Sequence, residues 1–154
     1  VADISPTLVE RAVKELGATA VSTDTISKIP CDVFSPCALG AVINDISLNQ
    51  FQTTIIAGAA NNQLKDEQKH GMALIDRGIL YAPDYLINAG GLINCYSELE
   101  GYNRERAMQK TEIIYPRAIE IFEIAAKEKI TTQAAANRIA EERIRLVAHI
   151  NSRL

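Results

Sequence analysis

The stretch ILYAPDYLINAGGLINCYSELEGY, Ile79 to Tyr102, decides how the rest of the chain is read. Its first three residues are a short apolar run with the length and composition of a buried strand. The run stops at Ala82-Pro83-Asp84, where proline supplies no backbone donor and constrains the residue before it. Asn88 is then followed by Ala89, Gly90 and Gly91. Small residues after a strand let two elements pack tightly or let a ligand approach the backbone. Both readings stand here: a turn with a tight helix contact, or the floor of a pocket beneath a planar ligand.

Working outward, Thr53 to Ala57 (TTIIA) is a second buried-strand signal, β-branched and uncharged. It runs into Gly58-Ala59-Ala60-Asn61-Asn62, another patch of small residues and amides. Leu64 to Arg77 reads as the helix between the two strands, with Met72, Ala73 and Ile75 on its inner side and Gly78 as its stop. Cys31 to Phe34 is a further strand candidate, closed by Ser35-Pro36. Ala38 to Ile43 and Asp45 to Leu48 read as short helical pieces. Nearer the start, Val1-Ala2 reads as the end of a strand and Ser5-Pro6 as a capped helix start. That helix runs to Gly17, and a short strand follows at Ala18 to Val21.

Short apolar strands alternating with helices argue for an α/β fold with a mainly parallel sheet. Ligands of such sheets bind beyond the carboxyl ends of the strands. Four strand ends carry polar or small residues: Asp3, Ser35-Pro36-Cys37, Gly58 to Asn62, and Ala82 onward. A parallel sheet brings these patches to one edge. After Gly101 the pattern turns helical. Asn103 to Lys127 is one long segment that Pro116 bends or restarts, and Thr131 or Thr132 caps a last helix reaching about Ile150.

Composition narrows the function classes. The chain has 154 residues, 47% hydrophobic and 23% charged, with a formal net charge of -3. This is a folded-domain composition, and its charge disfavours a nucleic-acid partner. No apolar run reaches the roughly 18 residues of a membrane span. Cys31, Cys37 and Cys95 lack paired spacing, so neither a disulfide framework nor a zinc site is indicated and a reduced, cytoplasmic setting fits. The start lacks an initiator methionine, which reads as an incompletely represented chain.

Several side chains are candidates for chemistry, each with a plainer alternative. Asp3 at a strand end suits the two ribose hydroxyls of a nucleotide, or a helix cap. Asn61, Asn62 and Asn88 offer both donors and acceptors to a carboxamide, ribose or carboxylate, or they cap turns. Asp84 and Tyr85 have no partner base and read as turn and packing residues. His70 reads as an exposed or packing histidine. Cys37 faces the strand-end edge but has no histidine to activate it. No phosphate-binding glycine loop, serine elbow or zinc motif is present.

PCALGAVIN, AGAANNQL, the HG pair, GILYAPDYLINAGGLIN and ELEGYNRERA together resemble the Glu/Leu/Phe/Val amino-acid dehydrogenase family, nearest its leucine dehydrogenase branch. The resemblance covers essentially the whole chain. It implies a Rossmann-like NAD-binding portion over residues 1–102 and C-terminal helices over 103–154 that pack back on the cleft. The implied activity is reversible oxidative deamination of a branched-chain, leucine-like L-amino acid to the 2-oxo acid and ammonia. Asp3, Cys37, Ala38, Leu39, Ala59, Ala60, Asn62 and Asn88 would contact NAD. Asn88, Ala118 and Ile121 would line the substrate side, with Asn88 holding either the nicotinamide ribose or the substrate carboxylate. No catalytic residue and no metal ligand is assigned within the chain, and Lys65 and Lys69 do not stand in for the family's catalytic lysines. The resemblance further implies an amino-acid substrate, an N-terminal catalytic domain outside this sequence, a homo-oligomer and an isolated segment that is inactive. The alternatives are a non-catalytic nucleotide- or small-ligand-binding module on the same scaffold, or a structural oligomerisation segment.

Overall fold

The computed structural model describes residues 1–151; the last three residues of the expected helical segment 103–154 lie outside the described residues. Three short strands, β1 (Val33–Phe34), β2 (Ile55–Ile56) and β3 (Leu80–Tyr81), pair in parallel in the order β1-β2-β3. The register places Phe34, Ile56 and Tyr81 in one row. That row is buried, whereas Val33 and Leu80 of the neighbouring row are 49% and 39% exposed. One face of the sheet therefore carries the core, and the other is only partly covered.

Each strand is shorter than its apolar run, because parallel pairing extends only where a neighbour is in register. Ala18 to Val21 forms no strand, and neither does Val1-Ala2. The Val1 amino group donates to the Thr19 carbonyl at 2.6 Å and the Val21 N–H to the Val1 carbonyl at 2.9 Å. Those two bonds make a single parallel-type rung between the two segments.

Helix α1 (Pro6–Leu16) begins with proline in its first turn and ends at Gly17, whose N–H donates to Val13 and whose φ of 64° turns the Ala18 N–H back to Ala12. The Ser5 side chain makes no capping bond; Asp3 instead accepts the Ser5 N–H at 2.8 Å. Residues 38–43 are not helical. Ile43 pairs in parallel with Leu64, and Ala41 takes a φ of 56° that no α-helix accommodates. Helix α2 (Asp45–Leu48) starts immediately after, held by a capping box in which Asn44 accepts from Ile46 and Ser47 while the Ser47 hydroxyl accepts the Asn44 N–H.

Helix α3 (Glu67–Asp76) is capped by Asp66, which accepts the Lys69 N–H at 2.8 Å. His70, Gly71 and Leu74 face inward; Met72 and Ile75 do not, at 42% exposed each. Residues three and four apart share a helix face, and here that face is set by His70 and Leu74. Phe34, Ile43, Leu48, Phe51, Ile56, Leu64, Leu74, Ile79 and Tyr81 form the sheet-side core, with the Phe34 and Phe51 rings 4.9 Å apart.

The remaining helices are α4 (Asp84–Ile87), α5 (Ala89–Leu99), α6 (Arg104–Glu112), α7 (Ile114–Glu128) and α8 (Thr132–Asn151). Asn103 to Lys127 is thus two helices. Pro116 has no N–H for the Glu112 carbonyl, and α6 ends at Glu112. Lys129, at a φ of 56°, closes α7, and the Thr131 hydroxyl accepts the Ala134 N–H at 3.0 Å to open α8. A second core of Ile121, Ala125, Ala135 and Ala136 joins α7 to α8, with Leu86 of α4 packed against it. No described helix is long and apolar enough to cross a membrane.

Candidate functional site

The carboxyl edge of the sheet is assembled first by backbone. A Cβ on Gly58 would lie 2.2 Å from the Pro36 carbonyl oxygen, so the segments leaving β1 and β2 touch main chain to main chain. The Ala60 N–H donates to the same carbonyl at 2.9 Å. Five residues further along β1's exit, Ala41 donates to the Asn62 carbonyl at 2.7 Å. Gly40 leaves no room either: a Cβ there would be 2.8 Å from the Asn61 carbonyl oxygen. Asn62 itself has a φ of 53°, a conformation asparagine tolerates better than most side chains.

Side chains then tie this pair of loops to the end of β3. Asp84 is buried; one carboxylate oxygen accepts the Gln63 N–H at 3.2 Å and the other the Tyr85 N–H at 2.7 Å. Gln63 is fully buried, and its side-chain amide donates to the carbonyls of Gly58 at 2.7 Å and Ala60 at 2.9 Å. Its Oε1 has no partner among the described residues. Asn88, at the junction of α4 and α5, donates to the Ala59 carbonyl at 3.3 Å and to Asn61 Oδ1. The structure therefore brings Ala59, Ala60, Asn62 and Asn88 together at one edge. Ser35 Oγ and Cys37 Sγ lie 3.4 Å apart at the end of β1, in contact with the same loops through Pro36.

The other sequence-designated residues are placed differently. Leu39 is 83% exposed and, with Ala38, lies on the loop between Cys37 and Gly40. Asp3 sits at the start of α1, beside a small cavity of about 140 Å³ that it lines with Val1, Ala2, Leu8, Val9 and Ala12. Ala118 and Ile121 are buried on α7, and Ile121 belongs to the helical core. Helix α7 packs against α4, the element that leads into Asn88.

Two further cavities adjoin β3. A polar one of about 230 Å³ is lined by Asn61, Asn62, Gln63, Glu67, Tyr81 and Asp84 among others. Burial, with Glu67 and Asp84 nearby, raises the Tyr81 hydroxyl well above the usual phenol range. The same causes push Tyr85 up to about 12. An apolar groove of about 400 Å³ lies between α3, Leu80 of β3 and the α7–α8 turn, away from Asn88 and Cys37.

His70 is a packing residue. Its Nδ1 accepts the Asp66 N–H at 2.9 Å, which fixes the ring hydrogen on Nε2, 3.3 Å from Asp45 Oδ1. Asp84 and Tyr85 are also structural, as a buried carboxylate accepting two backbone N–H groups and a hydroxyl donating to Asn137 at 2.9 Å. No group of three potential metal ligands occurs among the described residues. The polar groups that Asn88 joins at the edge are amides and backbone carbonyls, suited to orienting a ligand, and the Asp84 carboxylate is occupied by two backbone N–H groups. Sequence reasoning passed over Gly40 and Gln63, and it read Gly58 only as one of a patch of small residues. The glycines had a signal in IAGAA and ALG, but the loop each one meets is set only by the sheet order.

Comparison with known proteins adds an independent line. The family described as Glutamate/Leucine/Phenylalanine/Valine dehydrogenase matches residues 5–150. A leucine dehydrogenase of Thermoactinomyces intermedius is 51% identical over 152 residues, 99% of this chain and 41% of that protein. A leucine dehydrogenase of Geobacillus stearothermophilus is 54% identical over 94% of this chain and 39% of its own length. The crystal structure of L-tryptophan dehydrogenase from Nostoc punctiforme superposes with a TM-score of 0.92 at 46% identity, covering 97% of this chain and 45% of that one. The chain thus spans about two fifths of the length of the curated relatives it matches.

Proposed function

Because this chain belongs to the Glutamate/Leucine/Phenylalanine/Valine dehydrogenase family, we propose that it is the C-terminal, NAD-binding part of an amino-acid dehydrogenase. The observation that carries the reading is the convergence of Ala59, Ala60, Asn62 and Asn88 on the carboxyl edge of a parallel sheet, where ligands of such folds bind. The residues present fit the nicotinamide half of that cofactor. Ala59 and Asn62 are exposed and Asn88 is half-buried, and their amides and carbonyls can pair with a carboxamide and ribose. Gly91, with nothing within 4 Å of a Cβ position, leaves open space beside them.

When bound, NAD supplies the acceptor for the hydride leaving the substrate's α-carbon. This chain's task is to hold and orient. The main-chain contacts of Gly58 with Pro36 and of Gly40 with Asn61 fix the two loops, and Asp84 and Gln63 tie them to β3. Cys37, Ala38 and Leu39 extend the nucleotide side of the edge. Asp3 would accept the adenosine ribose hydroxyls, which favours NAD over its phosphorylated form. On the substrate side, Ala118 and Ile121 would limit the space for the amino-acid side chain, consistent with a branched aliphatic substrate. Residues 1–102 would bind the nucleotide and the helices beyond 102 would pack back on the cleft. The complete enzyme, carrying a catalytic domain besides this chain and assembled as a homo-oligomer in the cytoplasm, would deaminate a leucine-like amino acid reversibly.

The test is absorbance at 340 nm with the complete enzyme, NAD and leucine, valine, isoleucine, phenylalanine or tryptophan in turn. Reduction with at least one branched-chain substrate supports the reading. No reduction with any of them contradicts it.

A further inference from the structure

The amide of Asn88 has two hydrogens and two partners. One partner, the Ala59 carbonyl at 3.3 Å, can only accept, so the atom facing it is the nitrogen and the orientation of the amide follows. The other is Asn61 Oδ1. Both donors of Asn88 are therefore committed within the protein. Its Oδ1 takes part in no hydrogen bond among the described residues, and Asn88 is half-buried at the candidate edge.

We propose that Asn61 is a positioning residue that holds Asn88 as an acceptor, so that Asn88 receives a hydroxyl or ammonium donor and not a carboxylate. The inference rests on the cofactor-edge reading above. It decides between the two roles the sequence allows for Asn88. A carboxylate needs donors, and Asn88 has none to spare. A nicotinamide-side ribose hydroxyl, or the ammonium of the amino-acid substrate, needs an acceptor. Without Asn61 the Asn88 amide is held only by one long bond to Ala59 and is free to turn its nitrogen outward.

The complete enzyme separates these outcomes through KM for NAD, KM for the amino acid, kcat and melting temperature. Asn61→Ala should raise one KM by about three- to tenfold, the range of a neutral hydrogen bond, with little change in melting temperature. A rise in KM for NAD identifies the ribose hydroxyl; a rise for the amino acid identifies its ammonium. Asn61→Asp retains the acceptor that Asn88 needs and should stay within about twofold of wild type. If Asn61→Ala and Asn61→Asp behave alike, the proposal is wrong. If Asn61→Ala does not fold, Asn61→Leu, which keeps the side-chain volume without the acceptor, takes its place in the comparison with Asn61→Asp. A wild-type enzyme without NAD-dependent activity removes the dehydrogenase reading itself, a result distinct from normal activity with an indifferent Asn61.

Discussion

Gly58 and Pro36 meet main chain to main chain: the position a Gly58 Cβ would occupy is 2.2 Å from the Pro36 carbonyl oxygen and 2.5 Å from its nitrogen. Backbone at the end of a strand has little freedom to retreat. Gly58→Ala should therefore cost about 3 kcal/mol or more, at or beyond the upper end of ordinary overpacking. Urea unfolding measures this directly. A midpoint equal to wild type would mean that the two loops are not held in this contact.

Asp84 should behave as a structural carboxylate. It is buried and accepts the Gln63 and Tyr85 N–H groups. Asp84→Ala leaves two donors without their acceptor, and each unsatisfied buried donor costs about 1–3 kcal/mol. Chemical denaturation should show that loss, while kcat of the folded fraction changes much less than its stability. A large fall in kcat at unchanged stability would assign Asp84 to the chemistry instead.

His70→Ala should destabilise the domain by about 2–5 kcal/mol, the range for deleting a large buried side chain. His70 is 2% exposed and bridges Asp66 of the α3 cap to Asp45 of α2. Asparagine at this position, able to replace one of those bonds, should recover part of the loss. Thermal unfolding of the three proteins distinguishes this packing role from a surface one, in which all three would melt together.

Beside the more deeply buried Tyr81, Tyr85 should add to the loss of stability in alkali. Burial, and then Glu67 and Asp84, raise its hydroxyl from 10.0 to about 12. The folded state thus holds this proton more tightly than the unfolded chain. Its contribution to stability is complete below pH 10 and is lost as the pH rises towards about 12. Tyr85→Phe, which has no proton to lose, should flatten that part of the decline while lowering stability below pH 10 through loss of the 2.9 Å bond to Asn137. Urea midpoints at pH 9 to 12 for both proteins check the slope.

The three parallel strands were legible in the sequence because Val33-Phe34, Ile55-Ile56 and Leu80-Tyr81 are compact apolar runs between turn residues. The break before α7 was legible as well, since proline removes a defined bond. The inner face of α3 was not. Met72 and Ile75 are as apolar as Leu74, but one row of the sheet lies partly open and they stay at the surface beside it. Residues 38–43 resembled a helix by composition, yet their partners are the backbone of 61–64, which no local pattern reveals. The candidate edge was legible as the ends of β1, β2 and β3, whereas Asp3, the fourth end expected there, follows no strand of the sheet. The polarity of Asn88 was not, because it depends on a carbonyl and an amide oxygen from a loop 27 to 29 residues earlier.

Hydrogen–deuterium exchange of the complete protein, with and without saturating NADH, tests the proposed cofactor edge most directly. The account predicts slowed exchange in residues 35–41, 58–62 and 82–91, the loops joined by Gly58, Asp84 and Asn88. Protection confined to other segments, such as the apolar groove lined by Met72 and Ile130, would contradict it. So would unchanged exchange at those loops under conditions where the enzyme is saturated.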